Sequence, residues 1–209
     1  VPGDIPEPNR PGFNEAVAQA IKDVATQLRE RTLVLFTSNS ALNATRSAIR
    51  SSLEAENIKV VAQGIDGPPH RVMRALDAVK ATVALGSASL WEGVDLEESS
   101  IGALMIARLP FPVPSDPVFS ARSELYDDGF GDYAVPSAVL RFRQGFGRLI
   151  RSRADRGVFI VLDSRMATRG YGAAFRDSLP GCDIEVVRAS ELAARASRWY
   201  EEARAGTRG

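Results

Sequence analysis

The sequence holds one cysteine, one histidine and three lysines among 209 residues, and no long apolar run. A lone Cys182 excludes an internal disulfide framework and any Cys-based zinc or iron–sulfur centre built within the chain, and points to a cytoplasmic location. No apolar stretch approaches the roughly 20 residues of a membrane span, so no membrane partner is expected. The single His70 is assigned no catalytic role. Net charge is absent as well: 26 Lys+Arg balance 26 Asp+Glu, which excludes a polycation that clings to nucleic acid by bulk charge. No Gly-Lys pair occurs, so the phosphate-cradling loop G-x-x-x-x-G-K-[ST] is missing. The chain does not start with Met, which suggests a piece of something larger.

What is present is an ordinary globular composition, 44% hydrophobic, long enough for one large domain or one with an appendage. The three lysines leave 23 arginines, the side chain whose rigid fork suits bidentate phosphate recognition. The first dozen residues, VPGDIPEPNRPG, read as an extended Pro-rich arm. Phe13, Val17, Ile21, Val24 and Leu28 recur at helical spacing, so residues 1–30 are expected to be an arm and a helix packing on the domain. Thr32–Thr37 is a near-continuous apolar run, as a buried parallel strand requires. Further runs lie at Ile58–Ala62, Thr82–Leu85, Gly102–Ala107, Val158–Leu162 and Ile184–Val187. Between them lie segments of helical spacing, including one on Leu42, Ile49 and Leu53, Arg71–Val79 and Ser190–Tyr200. Alternating strands and helices predict an α/β fold with a mostly parallel sheet flanked by helices, over residues 31–204. The segment 108–135 interrupts that rhythm with RLPFPVPSDP and DDGFGDY and reads as an excursion of loop and helix. Residues 205–209 are expected to be a disordered tail. Cys182 is expected to be a small core hydrophobe.

Three segments can carry chemistry. Between Val139 and Arg156 six arginines face one aspartate, a local charge of +5. At about 100° per residue, Val139, Phe142, Phe146 and Leu149 share one helix face, while Arg141, Gln144, Arg148 and Arg151 form a row on the other. Like charges on one face are unfavourable unless an anion answers them. Gly147 thins the helix beside that row. In the second segment, Gly86–Leu96 (GSASLWEGVDL), Gly86 permits close backbone approach and Ser87 offers a hydroxyl. There Gly93 permits a tight turn and Asp95 can accept from a ribose hydroxyl; the plainer reading is a polar turn with Trp91 on the core. In the third, Thr37, Ser38 and Asn39 set hydroxyls and amides at a helix start, to cap the helix or to bind a phosphate.

Taken in order, LVLFTSNS, GSASLWEGVDL and QGFGRLIRS resemble motifs IV, V and VI of superfamily 2 helicases. The WEGVD and RQGFGRLIRSRADRG spellings, followed by VFIVLD, are similar to the DinG/XPD-like branch, over nearly the whole chain. RLPFPVPSDP and the SLPG near Pro180 resemble it too. The resemblance implies the second of two RecA-like domains, a three-layer sandwich. The first would bind ATP and Mg2+ and carry any iron–sulfur cluster, and single-stranded DNA would cross both. It implies that Arg148 and Arg151 reach the ATP phosphates, with Arg151 the finger, and that Gln144 positions the nucleotide end or the attacking water. Asp95 and Glu92 would face the ribose, with Gly93 and Gly147 shaping the nucleotide side. Ser87, Thr37 and Ser38 would hold DNA phosphates, with Gly86 and Asn39 in the same loops. Trp91 would stack on a base or fill the core, and Arg71 would touch DNA or a neighbouring domain. Asn39 departs from the family's aromatic, and Leu90 from its Phe. The chain alone is expected to be monomeric and without ATPase activity. The alternatives are a stand-alone nucleic-acid-binding module and, ranked lowest, a flavodoxin-like small-molecule domain.

Overall fold

The computed structural model describes residues 1–87, 90, 101–150 and 155–205. Its centre is a sheet of five strands, β1 (Thr32–Leu35), β2 (Lys59–Ala62), β3 (Thr82–Gly86), β4 (Ala103–Ile106) and β5 (Val158–Val161), in the order β2-β3-β1-β4-β5. Each pairing among them is parallel. Strands buried on both faces need no polar alternation, and β1, β3 and β4 accordingly are apolar throughout or close to it. Alternate residues feed two cores. Val34, Val60, Val83, Met105 and Ile160 pack against α1 (Phe13–Leu28), α2 (Asn39–Ala55) and a C-terminal helix, Ala189–Ala205. Leu33, Val61, Ala84, Leu104 and Val161 pack against α3 (Pro69–Ala78) and a helix at Val135–Phe146. The product is the three-layer α/β arrangement expected from the sequence. The helix α1 shares its core with α2 and the C-terminal helix.

The excursion comprises α4 (Pro117–Ser123) and a π-helical turn, Gly129–Ala134, which runs directly into α5 (Val135–Phe146). Two short helices, α6 (Arg165–Thr168) and α7 (Gly172–Asp177), follow β5, and α8 (Ala189–Ala205) closes the described chain.

Two expectations change. Ile184–Val187 is not a strand: Ile184 and Val186 are exposed, and the segment's one ladder contact is a bridge between Val187 and Pro2 of the arm. An apolar alternation builds a strand only where a partner offers its backbone, and here the arm supplies only a few hydrogen bonds: Val1 N–H to Glu185 O, Val187 N–H to Val1 O and Gly3 N–H to Val187 O. Cys182 is exposed rather than in the core, because it lies on the loop from α7 to that segment.

Candidate functional site

In an open parallel sheet the carboxyl ends of the strands are where helix N-termini and loops gather. At the end of β1, Thr37, Ser38 and Asn39 are all exposed. Ser38 is the N-cap of α2, its backbone extended and its Oγ accepting from Ala41 N–H at 3.2 Å. That satisfies one of the orphan amides of the first turn and leaves the threonine beside it open to solvent. At the end of β3, Gly86 accepts from Phe36 N–H at 2.8 Å. A Cβ at Gly86 would overlap the Leu90 side chain, so packing within the protein already requires a glycine there. Ser87 is buried, and its amide donates to Gln63 Oε1 at 3.0 Å, tying the ends of β2 and β3 together. Arg71 is exposed on the first turn of α3, with its stem laid over Gly67.

The arginine row sits elsewhere. The helix α5 runs back against the strands and ends at Phe146, so Gln144 is helical and exposed while Arg148 lies in the turn beyond, half-buried. This corrects the expected continuous helical face. Two glycines, Gly145 and Gly147, are poor helix formers, and Leu149 leaves the helical path to enter the core. The turn is closed by Gly147 N–H to Arg143 O and Arg148 N–H to Gly145 O, both at 3.0 Å. Leu149 packs beside Gly157 and the Ile101 carbonyl, just ahead of β5 and β4. Gln144 and Arg148 therefore belong to the amino edge of the sheet, whereas Thr37, Ser38, Asn39, Gly86 and Ser87 belong to its carboxyl edge. Trp91, Glu92, Gly93, Asp95 and Arg151 lie outside the described residues.

The structure also assembles a group that the sequence reading did not single out. Beyond β5, Asp163 is fully buried and accepts from Leu109 N–H at 2.9 Å and Arg165 N–H at 3.1 Å. It also takes a bidentate pair from the Arg165 guanidinium, at 2.9 and 2.6 Å. Burial opposes the charge on Arg165, but the hydrogen bond and charge of Asp163 outweigh it and hold its pKa above the ordinary arginine value. Arg108, beyond β4, is shifted the other way: burial and then the charge of Arg165 lower its pKa, against a smaller pull from Asp163. The available signal was an aspartate placed directly after the apolar run VFIVL, where a strand's carboxyl end makes a buried acid informative. Among the described residues no group of three or more His, Cys, Asp or Glu comes together in a way that could hold a metal ion, and no helix is long and apolar enough to cross a membrane.

A family model described as the helicase C-terminal domain matches residues 21–182. The chain is 37% identical over 195 residues to the 3'-5' exonuclease DinG of Bacillus subtilis, covering 91% of this chain and 21% of that protein. It is 40% identical over 185 residues to the ATP-dependent helicase DinG of Mycobacterium tuberculosis, covering 86% of this chain and 27% of that protein. The chain thus spans about a fifth to a quarter of these relatives. Among solved structures, an XPD helicase shares the fold with a TM-score of 0.63 at 20% identity, over 84% of this chain and 33% of that one.

Proposed function

The chain belongs to the family of helicase C-terminal domains, and from that membership we propose that it is the second motor domain of an ATP-dependent DNA helicase. The observation that carries the reading is the separation of its two residue sets. Gln144 and Arg148 stand at the amino edge of one sheet, and Thr37, Ser38 and Ser87 at the carboxyl edge, so one domain can meet a nucleotide and a strand of DNA together.

On the nucleotide side, the solvent-facing Gln144 and the guanidinium of Arg148 suit phosphate oxygens, not a divalent cation. Magnesium would be held by the partner domain that carries the phosphate loop. ATP, when bound there, supplies the transferable phosphoryl group. Arg148 and Arg151 donate to its oxygens and stabilise the charge that spreads over them; such an arginine is commonly worth about 10³–10⁵ in rate. Gln144 orients the nucleotide end or the water. We assign Asp95 and Glu92 to the ribose hydroxyls. On the other edge Thr37, Ser38 and Ser87 hold phosphates of single-stranded DNA, contacts that carry no sequence information and so permit translocation.

Two measurements test the reading. The chain alone should hydrolyse no ATP in a single-turnover assay, and hydrolysis by the pure chain overturns the assignment of the phosphate loop to a partner domain. In the longer protein, Arg151→Ala should reduce turnover by at least about 10³ while nucleotide binding is far less affected; unchanged turnover removes Arg151 as the finger.

A further inference from the structure

The register of the sheet carries the carboxyl edge beyond β1. Leu35 pairs with Ile106, and Ile106 with Val161, so the segments that leave β1, β4 and β5 carry Thr37, Arg108 and Asp163 out of the same edge of the sheet. Next to Asp163 comes Arg165. We propose that Arg108 and Arg165, with Phe130 beside them, form a second site for single-stranded DNA, in which the guanidiniums bind a phosphate and the ring stacks on a base. The proposal rests on the reading of the carboxyl edge as a DNA-binding face and extends that face across β4 and β5.

Arg108 is half-buried, yet among the described residues its one hydrogen bond goes to Asn9 Oδ1, at a long 3.3 Å, and no carboxylate lies within 4.0 Å of it. Its chain neighbour Leu109 donates to the same Asp163 that holds Arg165, and the charge of Arg165 makes that of Arg108 more costly. Two cations brought together at a strand end, one of them without a carboxylate partner, are an arrangement that an anion stabilises. Arg165 is fixed by Asp163, and its guanidinium carbon lies 5.6 Å from the centre of the Phe111 ring. Glu7, which Arg169 holds in a bidentate pair, also feels the charges of Arg165 and Arg10.

Aromatic groups adjoin these cations. Phe111 stacks on Phe130 at 5.7 Å, and Phe130 meets Tyr171 edge-on at 5.4 Å. Phe130 nevertheless keeps 51% of its surface exposed. Its backbone is set by Asp128, whose Oδ1 accepts from the amides of Phe130 and Gly131 at 3.1 and 2.9 Å. A held but exposed ring, joined through Phe111 to the Arg165 guanidinium, offers the mix of stacking face and positive charge by which proteins bind single strands without regard to sequence.

The test uses the intact chain and fluorescence anisotropy of labelled oligothymidylate over a range of salt. Arg108→Gln should lower the slope of log affinity against log salt by about 0.7, the loss of one phosphate contact on a single strand, and Arg108→Lys should restore it. Phe130→Ala should weaken binding about tenfold, and this loss should vanish on an oligonucleotide with abasic positions. Unchanged melting temperatures show that the variants fold. If the unaltered chain binds but Arg108→Gln and Phe130→Ala leave affinity and slope as they were, the second site is overturned while the carboxyl-edge reading stands. If Thr37→Ala is also without effect, or the unaltered chain does not bind, both fall.

Discussion

Asp163 has no exposed surface and accepts four hydrogen bonds, three of them from one arginine. Removing one partner of such a buried pair leaves the other charge desolvated and unanswered, which costs about 3–5 kcal/mol. Asp163→Asn is therefore expected to destabilise the chain by about that amount in urea unfolding, with an unchanged m-value; a loss below about 1 kcal/mol would mean that the Arg165 guanidinium finds water instead. At this scale the sequence was readable in part. Gly86 reads as a point of close approach, and in the structure the Leu90 side chain fills the space that a Cβ there would take. The pairing of Arg108 with Asn9, 99 residues away, has no local pattern to announce it, and the role of Asp163 depends on a neighbouring strand's amide.

Elements were more legible than residues. Strands β1 to β5 stood out because a parallel strand covered on both faces is apolar at nearly every position, and α1 because its apolar residues keep a strict spacing. The failures have a common physical cause: pattern alone does not count partners. Ile184–Val187 has the composition of a strand without a full ladder, and α5 stops at Phe146 although the arginine spacing continues through Arg148. At the start of α2, capping and phosphate binding compete for one side chain, and two substitutions separate them. Ser38→Ala should cost about 1 kcal/mol of stability through the lost cap. Ser38→Asp should keep the cap and the melting temperature but weaken binding of single-stranded DNA severalfold, because a carboxylate would then face the phosphates. Equal DNA affinity for the aspartate variant would leave Ser38 as a cap and nothing more.

Across the whole molecule the arm ties distant parts of the chain together. Glu7 makes a bidentate pair with Arg169 at 3.0 and 2.8 Å, Asp4 accepts from Ala189 N–H at 2.7 Å, and Glu185 makes a bidentate pair with Arg195. The hydrogen bonds from Arg169 and Arg195 hold the Glu7 and Glu185 carboxyls below their usual value of 4.5. Depressed carboxyl pKa values stabilise the fold above the unfolded value and cease to do so as the pH falls through the folded one. Both exposed ties should thus persist at neutral pH and be lost in acid. Carboxyl carbon shifts followed by NMR should give midpoints below 4.5 for both residues, and Arg169→Ala should return Glu7 to its ordinary range; a Glu7 midpoint indifferent to that substitution would refute the tie. Cys182 offers something of a different kind. It is the sequence's only thiol, it is exposed, and partial burial with the charge of Asp183 raises its pKa. A maleimide or spin label would therefore attach at one position, slowly at neutral pH and faster in mild alkali, giving the loop ahead of Ile184–Val187 a ready reporter with no engineered cysteine.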